Sequence, residues 1–203
     1  MSFSGIRFLL WIILSAITLY KIKTSKIIGK KLVYFLTVFI WLILVSLTAV
    51  FPVENLFINF TSPESVFRYT CSGNIDGIVH GNESCMIIYS KRDGSSSSYI
   101  VPKSDGGYKI PRYLDVKTVT SVFDSDGFWK VYRAERANDH YILGMFYTEN
   151  TKVSISDSNG RTVETIVENI DEKGVKHVTC FAYVDDFSNE YYLLIDGKKV
   201  SLR

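Results

Sequence analysis

The sequence predicts a membrane-anchored, mainly β protein. It has two N-terminal transmembrane helices, a short juxtamembrane helix and then an antiparallel β-sandwich or open barrel. Residues 1–52 contain two apolar runs and no acidic residue. Lysines separate the two runs. Beyond residue 70, turn dipeptides alternate with short segments rich in aromatic and β-branched residues, the pattern of antiparallel strands. We therefore divide the chain into a transmembrane hairpin, residues 1–52, and a β-rich domain, residues 53–203.

Charge is distributed unevenly between these two parts. Residues 1–52 carry six basic side chains and no acid, so their net charge is +6. The remainder carries 17 basic against 21 acidic residues, so its net charge is −4. The positive excess thus belongs to the predicted membrane region, and we expect no nucleic-acid partner.

The second apolar run is the stronger membrane signal. It extends from Leu32 to Phe51, 20 residues without a charge, and Pro52 follows it. At about 1.5 Å per residue, such a helix spans the roughly 30 Å hydrocarbon core of a bilayer. The run predicts a transmembrane helix over about 32–51, with the lipid bilayer as its partner.

The first apolar run is shorter. Residues 8–20 are only 13 in number, fewer than the roughly 17 that a span needs. A helix over about 4–21 becomes long enough if Arg7 and Lys21 extend toward the headgroups. The alternative is the apolar core of a signal peptide. We favour the two-helix hairpin because a lysine-rich segment and a stronger span follow.

A lysine-rich loop, residues 21–31, joins the two predicted spans. Basic loops stay on the cytoplasmic side of a membrane. The prediction is a multi-pass protein of the cell membrane with residues 53–203 on the outer side. The topology-determining lysines are Lys21, Lys23, Lys26, Lys30 and Lys31.

Residues 62–64 carry a helix-start signal. Ser62 is a favourable N-cap, Pro63 suits the first helical position, and Glu64 complements the positive helix end. The pattern predicts a short helix over about 63–70.

Turn dipeptides punctuate the rest of the chain. Asp-Gly and Asn-Gly supply the positive φ angles of tight hairpins. They separate candidate strands and so favour antiparallel pairing. The dipeptides occur at 76–77, 93–94, 105–106, 126–127, 159–160 and 196–197.

Two cysteines, Cys71 and Cys85, lie 14 residues apart in the predicted outer domain. An oxidising compartment favours a disulfide between them. A metal site with His80 is the alternative, but C-x-x-C and H-x-x-x-H spacings are missing. We therefore predict a disulfide, no metal and no cofactor. Cys180 lies on an alternating apolar face and is interpreted as a core residue.

No nucleophile, phosphate-loop or dinucleotide motif is present, so we predict no enzymatic activity and no catalytic residue. Aromatic and basic residues are concentrated near 130, where they indicate an interaction surface. Ordinary cross-strand packing is the competing interpretation. The candidate patch consists of Phe128, Trp129, Lys130, Tyr132 and Arg133.

Three segments carry a resemblance: SPESVFRYT (62–70), GNIDGIVHGNESCMIIYSKRDG (73–94) and YIVPKSDGGYKI (99–110). Residues 60–112 thereby resemble small uncharacterised membrane-anchored β-domain proteins of Gram-positive bacteria. Those proteins place a "SPEEAF"-like helix before a β domain, and a "K-x-D-x-G-W/Y-K" pattern enters one strand. The resemblance implies no activity for particular residues.

The expected function is a membrane-anchored extracytoplasmic binding protein, an accessory component of an envelope complex with a membrane or envelope protein partner. Two alternatives stay open. One is an extracytoplasmic enzyme acting on envelope material. The other is a ligand sensor that signals through a partner in the membrane.

Overall fold

A computed structural model describes most of the chain. The described residues are 5–24, 30–112, 115–124, 127–134, 138–150, 152–170, 174–185, 187–188 and 190–202. Along the chain, two long helices come first, a short helix follows, and twelve strands complete the described part.

Two long helices form the N-terminal part: α1, Gly5–Thr24, and α2, Lys30–Val50. They pack against each other through Trp11. Its indole N–H donates to the Thr48 hydroxyl over 3.2 Å, and its ring lies 6.2 Å from that of Trp41. The predicted pair of helices is thus present, and their contacts are those of a helical hairpin.

Among the described residues, no helix combines the length and apolar character needed to cross a membrane. The transmembrane assignment of residues 1–52 therefore stays a prediction. Lys21 and Lys23 lie in the last turn of α1. Lys26 lies outside the described residues, and Lys30 and Lys31 begin α2.

A 3₁₀ turn, Val53–Leu56, connects α2 to the β-rich domain, and the short helix α3 follows at Pro63–Thr70. The Ser62 hydroxyl accepts a hydrogen bond from the Ser65 backbone N–H, while the Ser65 side chain interacts with the Ser62 N–H. This reciprocal cap satisfies two N–H groups that a helix start leaves without partners. The prediction of a short helix over 63–70 is confirmed.

The twelve strands form three antiparallel sheets. Sheet I has the order β1-β2-β3-β4, sheet II the order β5-β6-β7-β10-β9, and sheet III the order β12-β11-β8. The strands are β1 Asn74–His80, β2 Ser84–Ser90, β3 Ser96–Ser104, β4 Gly107–Tyr108, β5 Val116–Asp124, β6 Gly127–Ala134, β7 His140–Thr148, β8 Ile155–Asp157, β9 Glu164–Ile170, β10 Lys176–Val184, β11 Tyr192–Ile195 and β12 Lys198–Ser201.

Sheet II is the central layer, and alternation along β7 shows why. Tyr141 and Leu143 face sheet I, where they pack with Met86 and Ile88. Ile142 faces the opposite way into a cluster shared with sheet III. Helix α3 covers the outer face of sheet I. The mainly β, antiparallel class predicted from the sequence is confirmed.

The core between sheets II and III requires a glycine, Gly144, on strand β7. A Cβ atom at Gly144 would lie 2.1 Å from the Trp129 ring and 2.7 Å from the Cys180 sulfur. Gly144 therefore lets the Trp129 indole lie directly against β7. Cys180 is buried here, as predicted, and burial raises the pKa of its thiol to about 12.

Most predicted turns occur, and one prediction is wrong. The dipeptides at 93–94, 105–106, 159–160 and 196–197 lie in turns, and Asp124 pairs with Gly127 across the β5–β6 hairpin. Asp76-Gly77, in contrast, lies inside β1 at a register shift. The Phe181 ring accounts for a glycine at this strand position, since a Cβ atom at residue 77 would lie 2.9 Å from the ring.

A buried carboxylate joins sheets I and II. Asp139, which is 2% exposed, precedes β7. It accepts hydrogen bonds from the backbone N–H groups of Asn82 and Glu83 and from the Ser84 hydroxyl, the last over 2.7 Å. These donors belong to the β1–β2 turn and the start of β2. The carboxylate thus fixes this turn against the central sheet.

The substitution Asp139→Ala tests this joint. We expect it to lower the free energy of unfolding by about 1–3 kcal/mol, because the buried Ser84 hydroxyl and two partly buried backbone N–H groups lose their acceptor. Denaturant unfolding of the full chain in mild detergent measures the change. Asp105→Ala, at an exposed turn position, is the matched control and should change stability by less than about 0.5 kcal/mol. Equal effects of the two substitutions would contradict a special role for Asp139.

Candidate functional site

The predicted disulfide is not present. Cys71, Cys85 and Cys180 are all free thiols. The register of the β1–β2 hairpin gives the reason, because Asn74 pairs with Ser90 at one end and His80 pairs with Cys85 at the other. Cys85 and Ser90 are five positions apart along β2, a distance of about 17 Å.

Helix α3 accounts for the separation in space of two cysteines that are close in sequence. Cys71 ends α3 and lies toward the Ser90 end of the hairpin, since Gly73 lies against the Ser90 carbonyl. Glu64, in the first turn of α3, is close enough for its charge to act on the Cys85 thiol. The helix therefore runs between the two thiols. A disulfide needs Cα atoms roughly 4.4–6.8 Å apart, and this arrangement separates them further.

Cys85 instead pairs with a histidine. Its sulfur lies 3.1 Å from His80 Nδ1 and is also hydrogen-bonded to Tyr108. A Cys–His contact can activate a thiol when the thiolate is stabilised. Here burial raises the pKa of Cys85, outweighing the opposite effect of the Lys103 charge. The pair is accordingly a partly buried polar contact and lacks the character of an activated nucleophile.

Ser84 also lies beside potential catalytic partners. Its hydroxyl contacts both the Asp139 carboxylate and the Tyr141 hydroxyl, the latter over 2.8 Å. Ser84 and Tyr141 are both fully buried, and burial raises the pKa of Tyr141. The three groups satisfy one another, so this arrangement serves the joint between sheets.

Within the described part of the chain, no group of three His, Cys, Asp or Glu side chains is placed to hold a metal ion. Cys71 and Cys85 lie apart, so the alternative metal site of Cys71, His80 and Cys85 is not assembled.

The predicted aromatic and basic patch divides between the two faces of sheet II. Phe128, Lys130 and Tyr132 lie on one face, with the Lys130 ammonium 5.4 Å from the Phe128 ring centre and 5.9 Å from that of Tyr132. Trp129 lies on the opposite face and is only 2% exposed. Arg133, exposed on that opposite face, donates to the Asn138 side chain. Three of the five predicted residues thus come together, and strand alternation removes the other two.

The face that carries Phe128 and Lys130 continues beyond sheet I. Phe123 packs on Phe128 with ring centres 4.5 Å apart. The Tyr147 ring stacks on His177 at 5.0 Å, and the cross-strand register places Met145 beside Phe128. Phe123 is 79% and Tyr147 is 69% exposed. We call this surface the aromatic platform; it consists of Phe123, Phe128, Lys130, Met145, Tyr147 and His177.

The platform lies at the end of sheet II farthest from the helices. Phe51 and Pro52, which follow α2, share a groove with Val116 and Ala134 at the near end of the β5–β6 pair. Phe123 and Phe128 lie at the other end of this pair. Phe128 and Ala134 are six positions apart along β6, a distance of about 20 Å.

The predicted patch contains only two of the six platform residues, Phe128 and Lys130. Phe123, Tyr147 and His177 belong to three strands, so their proximity depends on strand order. One signal was available: Phe123 and Phe128 flank the Asp-Gly turn at 126–127, and residues at matching distances from a hairpin turn pair across it.

The second surface feature is the groove of about 830 Å³ beside the end of α2. Its lining combines the connection after α2, the β1–β2 turn, the end of β3 and the segment before β5. Half of the lining residues are apolar, and three basic and three acidic side chains are also present. The charged residues are Lys103, Lys109, Arg112, Glu83, Asp105 and Asp115.

Hydrogen bonds fix the connection that forms one wall of the groove. The Asn55 amide donates to the Ile110 carbonyl over 2.9 Å and accepts from the Ile110 N–H over 2.8 Å. The Lys109 ammonium donates to the carbonyls of Asn55 and Ile58. The end of α2 is therefore tied firmly to the β-rich domain.

No protein family, no curated protein and no solved structure matches this chain. The resemblance to membrane-anchored proteins of Gram-positive bacteria accordingly stays a prediction.

The state of the thiols is directly testable. In the folded protein without reductant, we expect a maleimide to label Cys71, which is partly exposed, and to label Cys85 and Cys180 at least about tenfold more slowly, because both are buried. Mass spectrometry of the purified full chain measures each site. Cys71→Ser should abolish the fast labelling. If labelling of Cys71 and Cys85 required prior reduction, the disulfide prediction would be right and the free-thiol structure wrong.

Proposed function

We propose that the chain is a membrane-anchored, extracytoplasmic binding protein that engages an envelope protein through its aromatic platform. The observation that carries the proposal is the distribution of exposed apolar surface. Large exposed apolar side chains are concentrated on α1 and α2, on the connection that follows α2, and around the aromatic platform.

The helices supply the support for membrane anchoring. Of the 25 exposed large apolar side chains among the described residues, 18 lie on α1 or α2, too many for helices that face only water. No described helix combines the length and apolar character of a span, so the proposal relies on these exposed side chains and on the sequence. The uncharged run from Leu32 to Phe51 has 20 residues, about 30 Å as a helix. A bilayer is the environment that best satisfies such surfaces.

The orientation follows from the lysines between the helices. Five lysines in residues 21–31 favour a cytoplasmic loop. Because α1 and α2 form a hairpin, the end of α2 then faces outward together with residues 53–203. In this orientation the aromatic platform lies at the end of sheet II farther from the membrane.

The chemistry of the platform favours a protein partner. Aromatic residues and Met are enriched in protein interfaces, where an apolar centre is buried on binding. Lys130 lies over the Phe128 and Tyr132 rings, so a partner carboxylate can approach the ammonium at the edge of the apolar area. The proposed partner surface is therefore apolar with an acidic rim.

The platform can be tested by site-specific photocrosslinking. A photoreactive amino acid at Phe123 in intact membranes should yield a discrete adduct with a second protein. Phe128→Ser and Lys130→Glu should each reduce the yield about tenfold or more, because hot-spot truncations cost about 1.4 kcal/mol or more. Lys117→Glu, an exposed lysine of β5 away from the platform, is the charge-matched control and should leave the yield unchanged.

Three results would contradict the proposal. An adduct that persists in both platform variants would show that contact at residue 123 is nonspecific. An adduct containing a second copy of this chain would replace the envelope partner by self-association. The absence of any adduct under conditions in which the chain remains in the membrane fraction would leave the platform without its proposed partner and refute that role.

A further inference from the structure

The groove beside α2 has the features of a lipid site. It begins at Phe51 and Pro52, directly after the apolar helix. If α2 crosses the membrane, as the proposed function holds, the groove opens at the level of the outer headgroups. A volume of about 830 Å³ lies within the 300–1,000 Å³ typical of small-molecule sites.

The interior of the groove suits a hydrocarbon chain. Ile100 and Ile110 are buried, and Val116 and Ala134 extend the apolar lining toward sheet II. Hydrated ions and small polar solutes gain little from such a surface, whereas an acyl chain gains about 0.8 kcal/mol for each buried CH₂ group.

One cation in the groove is placed to receive an anion. The Lys103 ammonium donates to the Gly81 and Asn82 carbonyls, and the Lys109 ammonium holds the connection after α2. The Arg112 guanidinium lies 5.1 Å from the Phe51 ring centre and makes no hydrogen bond or ion pair with the described residues. Its planar fork of N–H donors matches the oxygens of a phosphate.

The remaining charges indicate the kind of headgroup. Three acidic side chains balance the three basic ones in the lining, so the groove offers no net charge. Glu83 and Asp105 are exposed in turns at the rim, where carboxylates can accept from an ammonium group. A headgroup with both a phosphate and an ammonium therefore complements the lining better than a purely anionic one.

We propose that the groove binds a zwitterionic phospholipid of the outer leaflet, with its phosphate at Arg112 and an acyl chain along the apolar lining. This inference rests on the proposed membrane anchoring, and it is independent of the aromatic platform and its partner. Bound lipid would add to the hydrogen bonds of Asn55 and Lys109 in holding the domain at the membrane surface.

Photocrosslinking with phosphatidylethanolamine that carries a diazirine in one acyl chain tests the site. The full chain is reconstituted in vesicles containing this probe, and adducts are mapped by mass spectrometry. We expect adducts both on α2 and on peptides covering residues 99–112. Arg112→Gln should lower the groove adducts at least fivefold and leave those on α2 unchanged. Arg68→Gln, an exposed arginine of α3, is the matched control and should change neither.

Phe51→Leu separates phosphate binding from the packing of Arg112 on the ring, and it should retain most groove adducts. The proposal is overturned if α2 is labelled and the groove is not, or if Arg112→Gln and Arg68→Gln give equal groove labelling. It is also overturned if phosphatidylglycerol with the same diazirine labels the groove more strongly than phosphatidylethanolamine. Loss of labelling on α2 as well would instead refute the membrane anchoring on which the inference rests.

Discussion

The Asp139 carboxylate lies at the junction on which both surfaces of the domain depend. It receives its hydrogen bonds from the β1–β2 turn and the start of β2, and thereby fixes sheet I over one end of sheet II. The neighbouring Gly81 makes the contact close, because a Cβ atom there would lie 2.5 Å from the Tyr141 hydroxyl. A buried carboxylate without such donors would be strongly unfavourable. The Asp139 contact and the apolar packing of Met86 and Ile88 against Leu143 together hold sheet I on sheet II.

Two consequences of that position account for the proposed binding surfaces. Sheet I covers only the near end of the central sheet, so the far end remains as the aromatic platform. At the near end, the same β1–β2 turn becomes part of the groove beside α2. The connection held by Asn55 and Lys109 then relates the groove to the helices. The groove thus lies beside the end of α2 and the platform lies at the far end of sheet II, an arrangement that suits the proposed binding surface.

Local signals in the sequence predict local structure well in this chain. The Ser62-Pro63 helix start, the lysine-separated helices and the glycine turns depend on neighbours within a few residues, and the structure has them. Features set by distant contacts were not predictable. Asp76-Gly77 lies in a strand because Phe181, more than a hundred residues later, occupies the space above the glycine. Cys71 and Cys85 are close in sequence, but α3 and the β1–β2 hairpin carry them to opposite ends. Trp129 is buried because Gly144 leaves room for its ring, a pairing that requires knowledge of the β6–β7 register.

The central claim is that the helical hairpin places the β-rich domain on the outer face of the membrane. Single cysteines at two positions in a variant lacking the three native cysteines test it most directly. One position is Ser95→Cys, in the exposed β2–β3 turn. The other is Lys26→Cys, which lies between α1 and α2 in the sequence. A membrane-impermeant maleimide added to intact cells should label residue 95 at once and residue 26 only after permeabilisation. Labelling of residue 26 in intact cells, with residue 95 protected, would contradict the account, and it would place both the platform and the groove in the cytoplasm.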